Sequence, residues 1–152
     1  MVTMDTCYTC AQERLFDRLP IRERIAHDDH WRVAHATGTS LEAWLILMPR
    51  RHVTTIAELS DAEAGLLGTW QVRLSRALHA VTGCEKTYVV QFAEAPGFAH
   101  VHFHVVPRSP DHPYDRRGPA IFSYLGCPPD KQVSPRRMDL LGAQLRSSLG
   151  PH

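Results

Sequence analysis

No stretch of the 152-residue chain approaches the roughly 20 consecutive apolar side chains that a bilayer-spanning helix needs, which argues against a helical membrane protein. The N-terminus, Met1-Val-Thr-Met-Asp-Thr-Cys7, has no basic region leading into an apolar stretch and does not read as a secretory signal. Together these absences make the cytoplasm the expected address. Charge of one sign is missing too. A formal net charge of +1 is too little for a chain that condenses as a whole onto nucleic acid or an anionic membrane. There is no internal repeat, no low-complexity tract and no linker through residue 108. Cysteine is scarce, with four in the chain. Cys7 and Cys10 form a C-x-x-C pair, while Cys84 and Cys127 stand alone. In a reducing compartment such a pair is more often metal-binding or redox-active than a structural disulfide.

What is present is ordinary except for histidine. The composition, 43% hydrophobic and 22% charged, fits a globular protein about one domain long. Ten histidines is a high count, and histidine is both the commonest metal ligand and a frequent general acid or base. Arg24–His27 and Trp31–Ala36 read as short strands joined by a polar turn at Asp28-Asp29-His30. Trp44–Met48 is an apolar run closed by Pro49, suited to a buried strand. Ser60-Asp-Ala-Glu63 is a capping box. Behind it Leu67, Trp70, Leu74, Ala77, Leu78 and Val81 make one apolar stripe, and Gly83 marks the helix end. That stripe is expected to serve the core or a dimer interface. Thr87–Phe92 and Val101–Val106 read as two more strands, and Arg136–Leu149 as a last helix. Prolines 110, 113, 119, 128, 129 and 135 suppress regular structure beyond Ser109 and suggest an extended segment on the surface. Short strands with one long helix favour an antiparallel α+β fold. The expected organisation is a core of 1–108 and a proline-rich extension of 109–152, with a terminal helix, packed on the same domain. Trp31, Trp70 and Phe92 are expected in the core.

The informative segment is His100-Val-His-Phe-His-Val-Val-Pro-Arg108. On a strand His100, His102 and His104 would line one face, about 6–7 Å apart, and Val101, Phe103 and Val105 the other. Three imidazoles in a row are costly unless each has a partner. A solvated polar face, a metal site and nucleophilic catalysis at phosphorus all fit the residues alone.

The segment is similar to the histidine-triad motif, His-φ-His-φ-His-φ-φ with φ apolar, at every position. It resembles the nucleotide-hydrolysing branch, because related transferases and phosphorylases generally carry Gln where this chain has His104. The resemblance implies a five-stranded antiparallel sheet with two main helices, usually paired into a homodimer with a continuous sheet. It implies a small-molecule nucleotide substrate, with a nucleoside monophosphate such as AMP released from a phosphoramidate or dinucleoside polyphosphate. His102 would be the nucleophile and His104 a phosphate contact near the leaving group. Alternatives are a nucleotidyl transferase or phosphorylase, and a zinc-stabilised nucleotide-binding module without turnover. Proteins of this kind that begin with a Cys pair usually complete a zinc site from a Pro-x-x-His segment and the first triad histidine. The matching set is Cys7, Cys10, His52 and His100, in which two thiolates and two imidazoles would hold a structural Zn²⁺. A redox-active pair fits less well, since no helix clearly starts at Cys10 within a βαβ context.

The chain departs from the family pattern in three places. Trp44 stands eight before His52, where many members have histidine. Pro96-Gly97-Phe98 replaces a Gly-Gln-Ser/Thr stretch that contacts phosphate. Gln91 is the nearest polar substitute for a usual Asn, and with Glu94 it is a candidate for substrate contact. Arg50, Arg51 and Arg108 are phosphate partners by charge, though a solvated surface role suits at least two of them.

Overall fold

A computed structural model of the chain describes residues 6–151. Helix α1 covers Tyr8–Glu13 and is followed by strands β1 (Ala26–His27), β2 (Trp31–His35) and β3 (Leu45–Pro49). Helix α2 (Asp61–Thr82) leads to β4 (Lys86–Val90) and β5 (Phe103–Arg108), and α3 (Pro135–Leu149) is the last element among the described residues. The strands form one antiparallel sheet in the order β1-β2-β3-β5-β4. This is the expected α+β fold.

Strand alternation gives the sheet two different faces. Val33 pairs with Leu47, Leu47 with Phe103 and Leu45 with Val105, so these side chains share one face. They pack with Trp31 against Trp70, Leu74, Ala77 and Leu78 of α2 and Leu145 of α3. Val33, Leu45, Leu47, Leu74 and Leu78 are fully buried, each worth roughly 1.5–3 kcal/mol of apolar transfer. The start of α2 is locked by its own capping box: Glu63 N–H donates to Ser60 Oγ at 3.1 Å, and Ser60 N–H to Glu63 Oε2 at 2.8 Å. Gly83 ends it with φ +69°, a left-handed conformation that glycine takes at little cost. Asp28 then ties this helix to the β1–β2 turn. It accepts from the His30 and Trp31 amides and from Trp70 Nε1, each at 2.7 Å.

The other sheet face carries Arg32 opposite Met48, Ala34 opposite Ile46, and Ile46 opposite His104. Part of this face is covered from beyond residue 109. Trp44, Ala36 and Val106 form a second buried cluster with Ile121, and Phe122, Tyr124 and Leu125 pack on it. The proline-rich stretch is not simply extended: it folds into short 3-10 turns at Tyr114–Arg116, Gly118–Tyr124 and Pro129–Lys131.

Three differences from the sequence reading bear on the site. β5 begins at Phe103, not Val101, because backbone before it is bonded elsewhere: the Val101 amide donates to Val53 O at 2.8 Å, and His100 O accepts from the His102 ring. β4 stops at Val90, two residues before the expected end. Helix α1 was not expected at the Cys pair, where Cys7 is the N-cap and its Sγ accepts from the Cys10 amide.

Helix α3 approaches the Ile21–Glu23 turn so closely that a Cβ on Gly142 would fall 2.8 Å from Ile21 Cγ2 and 3.2 Å from Ile25 Cγ1. Gly142→Leu is therefore expected to lower stability by about 1–3 kcal/mol through overpacking, read as a lower urea midpoint at unchanged slope.

Candidate functional site

The triad histidines do not form a single row. His100 and His102 precede β5, and only His104 lies within it, opposite Ile46 and Val90. His100 is fully buried and turns towards Cys7, Cys10 and His52. His102 and His104 stand edge to face, ring centroids 5.0 Å apart, on the wall of a cleft. Their separation into two sites follows from the late start of the strand, since only within regular strand does every second side chain share a face.

Each imidazole has one nitrogen committed to a neighbour. His102 Nδ1 lies 2.7 Å from His100 O. A carbonyl can only accept, so Nδ1 carries the proton and Nε2 keeps its lone pair. Burial lowers the His102 pKa below the ordinary histidine value, with the carbonyl bond opposing in part. His104 Nδ1 is 3.0 Å from Trp44 Nε1, and burial, with His102 alongside, pushes its pKa down to about 4. His35 is spent on backbone, with Nδ1 2.8 Å from Ala36 O and Nε2 accepting from the Ala43 amide at 3.0 Å.

Cys7, Cys10, His52 and His100 each offer a ligand atom, all within 4.8 Å of one another. His52 Nδ1 is 3.3 Å from His100 Nδ1 and 3.2 Å from Cys10 Sγ. His100 Nδ1 is 3.6 Å from both sulfurs. Tetrahedral Zn²⁺ with bonds of about 2.0–2.3 Å requires ligand-to-ligand edges of about 3.3–3.8 Å, so the cluster has the size and donor chemistry of a structural zinc site. All four described cysteines are free thiols. His100 is also oriented for this role: its Nε2–H donates to Pro49 O at 2.8 Å, leaving the Nδ1 lone pair for a cation.

The cleft has a volume of about 590 Å³ and crosses the second sheet face. Ala34, Ile46 and Met48 form its floor, His102 and His104 one wall, and Phe92, Phe98 and Phe122 further apolar walls. Phe92, expected in the core, is 60% exposed. The chain leaves β4 at Val90 and turns through Ala93 at φ +55°, so Phe92 packs on Phe122 across the cleft (centroids 5.5 Å apart) instead of entering the interior. Phe98, part of the stretch that replaces Gly-Gln-Ser/Thr, also lines the cleft and stacks 5.3 Å from Tyr8. Glu94 lines the cleft, whereas Gln91 is half-buried and outside its lining.

Arg32, Glu23 and Tyr8, which the sequence did not single out, make a polar patch in the lining. Tyr8 Oη donates to Glu23 Oε1 at 2.7 Å, and Arg32 donates to Glu13 Oε2 at 2.9 Å and to Glu23 O at 2.6 Å. Burial raises the Glu23 pKa, with the Tyr8 hydrogen bond and Arg32 acting against it. The alternation Trp31-Arg32-Val33 puts Arg32 on the sheet face opposite the core, but nothing local shows that this face is a cleft or that the arginine's partners come from distant segments. Arg50, Arg51 and Arg108 are bonded to Glu13, Glu63 and Glu85 and do not line the cleft. Arg32 is thus the one cationic side chain among the described lining residues apart from the imidazoles, and it is already paired.

Because His104 holds its proton more weakly when folded (about 4 against 6.5), the unfolded chain binds more protons between those values. This contribution to stability is complete above pH 6.5 and is lost as pH falls towards 4. The urea midpoint of His104→Asn should vary less than the native one between pH 7 and 4.5.

Against known proteins, a family model described as HIT domain matches residues 22–111. No curated protein gives a sequence match. Solved structures match in fold. A Zn-bound histidine triad family protein from Mycobacterium smegmatis is 18% identical with a TM-score of 0.69, over 97% of this chain and 95% of that one. A Hit-like protein involved in cell-cycle regulation from Bartonella henselae is 12% identical with a TM-score of 0.74, over 97% and 99%. A hypothetical histidine triad nucleotide-binding protein from Sulfolobus tokodaii is 14% identical with a TM-score of 0.68, over 92% and 91%. The likeness to these structures is one of fold, and the family model spans more than half of the sequence, including all three triad histidines. This chain belongs to the HIT, or histidine triad, family.

Proposed function

We propose that the protein is a nucleotide hydrolase that releases a nucleoside monophosphate, in the first instance AMP, from a phosphoramidate or dinucleoside polyphosphate. The observation that carries this reading is the His102 ring. Its Nδ1–H is held by His100 O, and its Nε2 lone pair is available at a cleft large enough for a nucleotide. The apolar, aromatic walls suit a nucleobase. The nucleotide-binding description of the Sulfolobus tokodaii protein, which shares the fold, points the same way.

In the first step Nε2 attacks the α-phosphorus, forming a P–N bond as the bond to the leaving group breaks. The leaving group takes that electron pair and picks up a proton from solvent. Water then attacks phosphorus, the P–N electron pair returns to His102, and the water's proton goes to solvent. Main-chain N–H groups and His104 stabilise the charge on the non-bridging oxygens. Glu94 and Gln91 are candidate substrate contacts, with Glu94 the better placed because it lines the cleft. A nucleotide-binding module without turnover is the second reading, favoured by Pro96-Gly97-Phe98 standing in the phosphate-contacting stretch. A phosphorylase would differ from the hydrolase in depending on inorganic phosphate.

Zinc at Cys7, Cys10, His52 and His100 would have a structural role, with no position open for substrate. Bound there, it supplies a cross-link between α1, the segment after β3 and the approach to β5. We also propose a homodimer whose sheet continues through an edge strand, and a cytoplasmic address.

His102→Asn should reduce AMP release from adenosine phosphoramidates and dinucleoside polyphosphates by roughly 10³-fold or more while keeping nucleotide affinity. Binding without release by the native chain would instead select the module reading. Metal analysis should find about one zinc per chain, lost in a Cys7→Ser, Cys10→Ser double variant together with a fall in Tm; a metal-free native protein of unchanged Tm would refute the zinc assignment.

A further inference from the structure

Trp44 immediately precedes β3 and is fully buried. Its indole has one polar hydrogen and no acceptor, and that hydrogen points at His104 Nδ1 over 3.0 Å. Nδ1 must therefore present a lone pair, and the single proton of the neutral ring sits on Nε2. The arrangement is sterically held. Trp44 and His104 meet edge to face at 5.7 Å and 80°. Phe122 packs on both rings, 5.5 Å from Trp44 and 5.0 Å from His104. A ring flip exchanging the two nitrogens would break the hydrogen bond and disturb these contacts.

We propose that Trp44 is a positioning residue that fixes His104 as an Nε2–H hydrogen-bond donor to the cleft and bars it from protonating the leaving group. A neutral imidazole that gave up this proton would become an imidazolate, a very strong base. A ring protonated on both nitrogens would set Nδ1–H against the indole N–H. Burial acts in the same direction, since it holds the His104 pKa at about 4. His104 can thus hold a phosphate oxygen beside His102 but cannot shuttle a proton, which the leaving group must take from water. The catalytic half of this assignment rests on the hydrolase reading, whereas the tautomer does not.

The test is nitrogen-detected NMR of the histidine rings at pH 7, with and without AMP, alongside steady-state kinetics of Trp44→Phe. The expected native spectrum shows His104 with an unprotonated Nδ1 and a protonated Nε2. It also shows a scalar coupling between that Nδ1 and Trp44 Nε1, and a shift of the Nε2–H resonance on adding AMP. Trp44→Phe keeps the ring contacts but removes the donor. Its His104 tautomers should mix, and kcat should fall about tenfold with KM little changed, less than complete loss of an oxyanion donor would cost. A native His104 protonated on Nδ1, or an unchanged tautomer and kcat in Trp44→Phe, overturns the proposal. If the variant does not fold, the native coupling and tautomer decide. If the native chain hydrolyses no nucleotide, the hydrolase reading fails, and an Nε2–H resonance unmoved by AMP overturns this one as well.

Discussion

A neutral imidazole has one lone pair and one N–H, and a neighbour that claims one nitrogen decides what the other can offer. Pro49 O takes the Nε2–H of His100 and leaves Nδ1 facing two sulfurs and a second imidazole. His100 O takes the Nδ1–H of His102 and leaves the Nε2 lone pair for the cleft. Two identical side chains, two residues apart, thus acquire opposite tautomers and separate tasks. The first carbonyl is placed by the sheet, since Pro49 ends β3 and β3 pairs with β5 through Leu47 and Phe103; the second lies just before β5, where the next amide, that of Val101, is held by Val53 O. A one-residue slip in that register would turn every side chain of β5 to the opposite face.

The same pairing divides the molecule into two sides. Leu45, Leu47, Phe103 and Val105 seal one face against α2 and α3, so apolar burial there supports the sheet. The opposite face keeps the small floor residue Ala34 alongside Ile46 and Met48, and the space above them is the cleft. Its roof comes from elsewhere in the chain: Phe92 and Phe98 from the β4–β5 connection, and Phe122 from the C-terminal turns. The Cys2His2 cluster adds a further tie. It anchors α1, whose Tyr8 amide donates to Gly97 O at 3.1 Å and whose Tyr8 ring stacks on Phe98. The metal site and the cleft therefore share a wall, and the N-terminal helix belongs to both.

The fold was legible because its signals are local. The capping box at Ser60 and Glu63, the apolar stripe through Trp70 and Leu78, Gly83 beyond it and the alternation around His104 all depend on residues a few positions apart. The metal cluster was legible only through family likeness, because neither the C-x-x-C spacing nor His52 by itself points to the other. Phe92 shows the limit of pattern: it continues the strand alternation, yet nothing local reveals that the strand ends at Val90 and that the chain turns at Ala93. The three arginines chosen for their charge were similarly uninformative, since Glu13, Glu63 and Glu85 had already claimed them.

By itself the sequence determined the five strands and two long helices, the two-faced sheet and the grouping of three histidines in one segment, since each follows from periodicity or composition over a short stretch. Tertiary structure decided which histidine meets metal donors and which meets the cleft, and which nitrogen each exposes. It also decided that Trp44, at the position of a family histidine, would donate to His104, and that Arg32 would be spent on Glu13 and on the backbone of Glu23. The physical reason is the same throughout: a hydrogen bond specifies a proton's position only when its partner is known, and these partners come from segments far apart in the chain.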